Sequence, residues 1–243
     1  MATVIPADTV PEAQPLTDGE RLTLAEYRER CAGLESRGIE QRTELIRGVV
    51  RVTEPPDNYF HAAPDADFAY LLRAYTRATP GTQSLVAGTL ELPDSSQSQL
   101  GPDHLLLILP ECGGQMRRCE NGQVVGVSEF VVETANTSVR TDLAEKRDLY
   151  EAAGVREYFV HVVRDQSCVV YRAKDGRFRP AELDSGIFCS ETFPGLHVDC
   201  DALTTRDFER LVATLERGLA TPGHAAFVKQ LATIRDERSG DSI

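Results

Sequence analysis

A chain of 243 residues, 41% of them hydrophobic, is long enough to bury one sizeable core, so one domain with ragged ends is expected. The formal net charge of −12 repels polyanions at long range and argues against indiscriminate nucleic-acid binding, although it leaves room for a local basic surface. No run of about 18 apolar residues exists and no charged-then-apolar leader opens the chain, so no membrane association is expected and the expected location is the cytoplasm.

Residues 1–20 hold Pro6, Pro11 and Pro15 among acids and small polar residues, and are expected to form a disordered tail. Thr23 can cap a helix that begins at Leu24, runs through Tyr27 and Cys31 toward Leu34, and is broken by Gly38. In Thr43–Val52 two β-rich runs flank Arg47-Gly48, the pattern of a hairpin whose glycine supplies positive φ. Glu44 opens that hairpin, and by itself reads as a water-facing acid. A second helix follows His61, with Pro64 tolerable only in its first turn and Phe68, Leu71, Leu72 and Tyr75 as its apolar stripe. A lone histidine at a helix start is ordinarily a cap or a surface residue, yet it could also reach a phosphate or a carboxylate.

Thr82–Leu92 is strand-like, Asp94–Gln99 a polar loop, and His104–Leu109 an apolar run suited to a central strand. Asp103 stands at its entrance after Pro102, where turn chemistry is the ordinary reading. Residues 110–127 make a polar connection to a strand at Glu129–Glu133. Beyond Gly154 the strands Glu157–Val163 and Cys168–Tyr171 are joined by a turn, with further fragments at Phe178–Leu183 and Gly186–Phe188. A helix over 205–219 carries Phe208, Leu211, Leu215 and Leu219 as a core stripe, and residues 219–243 read as a peripheral helix and tail. The six cysteines, at 31, 112, 119, 168, 189 and 200, lack CxxC spacing and read as reduced, mostly structural thiols.

The stretch from Glu129 to Tyr158 is the most informative. Period-two alternation puts Glu129, Val131 and Glu133 on one strand face, so an acid ends an apolar strand. Wound at about 100° per residue, the next segment sets Leu143, Leu149, Tyr150 and Ala153 on one side of a helix with Lys146 in their midst. A buried ammonium needs a carboxylate or phosphate beside it, and Glu133 is the local candidate. Asp103 and Glu133 converging from two strands would make an oxygen-rich pocket of the kind that holds Mg²⁺ or Mn²⁺. A lysine beside it can fix or deprotonate an attacking water and offset charge on a phosphate. The competing reading is a core lysine satisfied by structural acids.

Several segments together resemble a known family: Glu44-Leu45-Ile46 with Gly48, His61, Pro102-Asp103, Val131-Val132-Glu133, Asp142 to Lys146, Tyr150, and Gly154-Val155-Arg156-Glu157-Tyr158-Phe159. They look like the Uma-type restriction endonucleases of the PD-(D/E)XK superfamily, over about residues 22–215. The resemblance implies an α/β (α+β) restriction-endonuclease-like fold, a mixed central β-sheet flanked by helices, with the nuclease-like domain over 21–218. It implies Asp103 and Glu133 as ligands of Mg²⁺ (or Mn²⁺), and Lys146 as the catalytic lysine taken from the helix after the strand, since residue 135 is alanine. Glu44 and His61 would stand at the edge of the site, and Arg140 and Arg147 are candidates to touch DNA, the implied substrate. Cutting both strands would suit a homodimer, though no heptad or self-complementary patch marks one.

Three positions depart from the family's pattern. Thr134-Ala135-Asn136-Thr137-Ser138 replaces a leucine-serine-proline turn, Val162-Val163 stands where Asp-Pro is common, and Arg47 where the hairpin usually has Asp. The implied function is a metal-dependent DNA endonuclease. A catalytically inactive binding or regulatory module on the same scaffold stays open, favoured by the net charge and the altered turn, as does a hydrolase of smaller phosphate esters.

Overall fold

Local chemistry starts the fold where the sequence indicates. In the computed structural model, which describes residues 14–52, 59–92, 94–118, 124–136 and 138–240, helix α1 (Leu24–Glu35) opens on a capping box: Thr23 Oγ1 accepts the Glu26 N–H, and the Glu26 carboxylate accepts the Thr23 N–H at 2.8 Å. Strands β1 (Thr43–Ile46) and β2 (Val49–Val52) form the expected hairpin. Arg47 and Gly48 both take positive φ, 49° and 74°, as a two-residue turn of matching twist requires.

The chain continues through α2 (Tyr59–Ala78), β3 (Thr82–Val86), β4 (Leu90–Glu91), β5 (Gln99–Leu100), β6 (His104–Ile108), β7 (Arg117–Arg118), β8 (Val124–Val125) and β9 (Phe130–Ala135). A π-helical turn (Thr141–Lys146) then leads directly into α3 (Arg147–Ala153). Strands β10 (Glu157–Val162), β11 (Ser167–Lys174), β12 (Arg177–Pro180), β13 (Ile187–Cys189) and β14 (His197–Asp199) follow, and α4 (Cys200–Thr205), α5 (Phe208–Leu219) and α6 (Pro222–Gly240) close the chain.

The central sheet has the order β12-β11-β10-β9-β6-β3. Only β9 and β10 run parallel within it, joined by the crossover through α3; the other pairs are antiparallel, which makes the sheet mixed. Every residue of β6, β9 and β10 is buried, so these strands are covered on both faces and read as continuous apolar runs. Alternation divides their side chains. Phe130, Val132 and Phe159 face α2 and its stripe of Phe68, Leu71, Leu72 and Tyr75, while Val131, Ala135, Tyr158 and Val160 face Leu149 and Tyr150 of α3. A second sheet of short strands, ordered β2-β1-β5-β4-β8-β7, stands beside this α3 side, with α1 packed on its outer face through Leu24, Tyr27, Leu34, Leu45 and Val50.

Several expectations need correction. α2 begins at Tyr59, so Pro64 lies beyond the first turn, inside the helix. The strand-like run 82–92 is split into β3 and β4, with Ala87 between them at φ 51°. Part of the expected polar loop 94–99 and of the connection 110–127 forms β5, β7 and β8. The helix expected over 205–219 is broken at Arg206, whose φ is 63°. Phe208 then starts a new helix, and its ring is exposed, edge-on to exposed Tyr70, rather than in the core. Of the expected tail, residues 1–13 lie outside the described residues, whereas Leu16 is buried and exchanges two hydrogen bonds with the Gln41 side chain. Cys31, Cys112, Cys168, Cys189 and Cys200 are free thiols, and Cys119 lies outside the described residues. No helix among the described residues is long and apolar enough to cross a membrane.

Gly154 ends α3 in the left-handed region at φ 90°, its N–H donated to Glu151 O and the Val155 N–H to Tyr150 O. Nothing lies within 4 Å of a Cβ added there, so the cost of Gly154→Ala comes from backbone conformation alone. It should be about 1–2 kcal/mol, a fall in Tm of about 2–8 °C for a chain of this size, measured by thermal denaturation; an unchanged Tm would contradict the assigned helix stop.

Candidate functional site

The strand before the crossover delivers one acid and the helix after it delivers a lysine. Glu133 shares the face of Val131 and Ala135 toward α3, as period two requires. Glu129, four residues earlier on the same face, is structural: its carboxylate accepts the backbone N–H groups of Ile108 (3.0 Å) and Gln115 (3.2 Å).

Lys146 closes the π-turn and points inward, as the helical spacing predicts. Its Nζ lies 2.9 Å from Glu44 Oε1, 3.1 Å from Glu133 Oε1 and 3.4 Å from Asp142 Oδ1. All four side chains are buried, Lys146 to 5% exposure. The altered turn between β9 and the helix therefore does not separate Lys146 from Glu133.

Each acid is held by further donors. Glu133 Oε1 also accepts the Tyr150 hydroxyl at 2.9 Å, and Glu44 Oε1 accepts the Gly101 N–H at 2.7 Å. Ser138 Oγ donates to Asp142 Oδ2, and the Tyr158 hydroxyl donates to the Asp142 carbonyl at 3.0 Å. Glu44 reaches this cluster because it shares the face of Ile46 on β1, opposite to Leu45, which faces α1. Its ordinary reading as a water-facing acid is thus corrected.

Asp103 stands beside Glu133. Strands β6 and β9 pair with His104 opposite Val132 as the last pair, so Asp103, just before β6, adjoins Glu133, whose pKa its charge helps to raise. The Asp103 carboxylate is fixed there by the Thr134 N–H, 2.6 Å from Oδ2.

No described contact joins Arg140 or Arg147 to the cluster. Arg140 is exposed near the start of the helical segment. Arg147 donates to Asp148 at 2.6 Å and lies over the Tyr171 ring, 5.9 Å from its centre. His61 is in α2, but its side chain falls outside the described residues. Asp142 and the hydroxyls of Ser138 and Tyr150 were missed as site groups. Their signal was the four-residue spacing 138, 142, 146, 150, which sets a polar ladder along one helical face.

One ammonium cannot neutralise so many carboxylates. Burial, reinforced by the charges of Asp142, Asp103 and Glu44, pushes Glu133 well above the ordinary carboxylate range despite Lys146. Burial likewise raises Asp142 against the pull of Lys146 and the Ser138 hydroxyl. Burial works against the Lys146 charge too, but Glu133, Glu44 and Asp142 outweigh it and hold the ammonium well above its ordinary value.

Three carboxyl groups on one ammonium, with Asp103 beside them, make an oxygen-rich cluster. Among the described residues no group of three or more His, Cys, Asp or Glu side chains is placed to enclose an ion. Two adjoining carboxylates, Asp103 and Glu133, instead fit the ligand set of Mg²⁺, which keeps several waters and uses one or two side chains.

A family model, Uma2, described as "Putative restriction endonuclease", matches residues 24–204. No curated protein matches the chain. Among solved structures, the crystal structure of "a putative nuclease belonging to DUF820" from Anabaena variabilis ATCC 29413 superposes with a TM-score of 0.58 at 14% identity, covering 76% of this chain and 98% of that one. At that identity the likeness shows a shared fold.

Lys146→Met would leave Glu44, Glu133 and Asp142 without their cation. A carboxyl whose folded pKa lies above its unfolded value of about 4 contributes stability below that value and loses it as pH rises through the folded one. Glu133 and Asp142 are raised in this sense, and the variant removes what opposed the rise. By urea denaturation in EDTA, the variant should be about 3–5 kcal/mol less stable than wild type at pH 8, with a smaller deficit at pH 5. A deficit independent of pH would contradict the cluster as described.

Proposed function

Because the chain belongs to the Uma2 family, we propose that it is a metal-dependent endonuclease hydrolysing phosphodiester bonds in DNA, with Mg²⁺ or Mn²⁺ held by Asp103 and Glu133. The observation that carries the reading is the Lys146 ammonium, buried beside Glu133, which adjoins Asp103. A divalent ion bound there would supply Lewis-acid polarisation of a phosphoryl oxygen.

The protein's own groups divide the remaining work. Lys146 and Tyr150 both address Glu133 Oε1, and Glu133 with Asp103 would hold the ion. Glu44 and Asp142 hold the ammonium from the other sides, so it keeps its position when Glu133 is shared. Lys146, held 3.1 Å from Glu133, would orient the attacking water and offset charge on the phosphate. Glu44 acts through Lys146 and is a positioning residue.

Relaxation and linearisation of supercoiled plasmid in Mg²⁺ or Mn²⁺ tests this. Cleavage should vanish in EDTA, and Asp103→Asn and Lys146→Ala should each lower the rate by about 10²-fold or more, in protein whose circular dichroism is unchanged. Calorimetric titration with Mn²⁺ should show a site that Asp103→Asn weakens. A wild-type protein that neither cuts DNA nor binds Mn²⁺ would overturn the reading in favour of a non-catalytic module, which the net charge of −12 favours.

A further inference from the structure

The mouth of the acidic cluster carries a cation that the sequence motifs do not mark. Arg51 stands directly opposite Glu44 in the β1–β2 register, so the two side chains leave the hairpin on the same face. Glu44 is buried against Lys146, whereas the Arg51 side chain is 37% exposed. The guanidinium therefore lies on the solvent side of the cluster. Its partner is Glu145, the residue before Lys146, with Arg51 Nη2 at 3.6 Å from Glu145 Oε2.

That contact is too long for a hydrogen bond and joins two partly exposed groups, so it holds the guanidinium only loosely. It nonetheless joins the hairpin that carries Glu44 to the segment that carries Lys146. A phosphate offers the planar guanidinium two acceptor oxygens in a matching fork, which a carboxylate at this distance does not. Arg147, by contrast, is committed to Asp148 and the Tyr171 ring.

We propose that Arg51 is a substrate-binding residue that contacts a backbone phosphate of the nucleic acid at the mouth of the cluster, and that Glu145 is its resting partner, displaced when the phosphate docks. This rests on the endonuclease reading. In a molecule of net charge −12, a cation beside the acids gives a polyanion a local foothold, and Glu145 weakens it until a phosphate competes successfully.

The test uses full-length protein and a fluorescent duplex of random sequence. Binding is followed by anisotropy in Ca²⁺ over a salt series, and cleavage kinetics in Mg²⁺. Arg51→Ala should raise Kd and KM about 5- to 20-fold with kcat changed by less than about two-fold, and should reduce the slope of log Kd against log salt by about 1. Arg51→Lys should recover the slope but only part of the affinity, because it keeps the charge and loses the fork. Glu145→Gln should tighten binding about two- to five-fold. If the wild type cuts the duplex and Arg51→Ala matches it in Kd, KM and salt slope, or if Glu145→Gln weakens binding, this inference fails and the endonuclease reading stands. A wild type that neither binds nor cuts the duplex overturns both.

Discussion

A buried ammonium shared among three carboxylates is the interaction on which the site depends. Removing a charged group from water costs several kcal/mol even after relaxation, and Lys146 recovers that cost only because Glu44, Glu133 and Asp142 converge on it within 3.4 Å. The three acids come from different parts of the fold. Glu133 arrives on the central sheet, Glu44 on the hairpin of the second sheet, and Asp142 on the π-turn that carries the lysine itself. One side chain thus ties together elements about 100 residues apart, and the register of each element has to be right for the cluster to exist.

The neighbouring contacts serve that arrangement. The β9–α3–β10 crossover fixes the height of Lys146 over the sheet, while Tyr150 and Tyr158 bond back to Glu133 and to the Asp142 carbonyl. The π-turn widens the helix where Asp142 and Lys146 must both face inward, a position at which such turns commonly accompany function. Asp103 stands one strand away, where its carboxylate accepts the Thr134 backbone N–H. The site accordingly has a lysine end, where three carboxyl groups share one ammonium, and an acid end where Asp103 stands beside Glu133.

Much of this was legible in the sequence, for reasons that differ residue by residue. The strand alternation at 129–133 and the wheel position of Lys146 are properties of single elements, and the inward lysine followed from them directly. The Thr23 cap, the Arg47-Gly48 turn and the Gly154 stop were equally local. Glu44 was not, because whether a hairpin acid faces water or the interior depends on which sheet the hairpin joins. Asp142 was readable from its four-residue spacing to Lys146 but was eclipsed by the apolar stripe around it. Phe208 misled for the opposite reason: helical spacing fits it into the stripe of Leu211 and Leu215, yet the unannounced left-handed residue at Arg206 restarts the helix and leaves the ring outside.

The whole account rests on Lys146 being both buried and charged, and the chain makes that directly measurable because it has only three lysines, 146, 174 and 229. Lys174 and Lys229 are exposed. Nitrogen-15 NMR of the Nζ groups, with Lys146 assigned by its loss in Lys146→Arg, can follow each ammonium through a pH titration in EDTA. The account predicts that the Lys146 resonance shows protons exchanging slowly with water and keeps its charged chemical shift beyond the ordinary lysine value of about 10.4. A Lys146 ammonium that exchanges rapidly, or that loses its proton below that value, would contradict it.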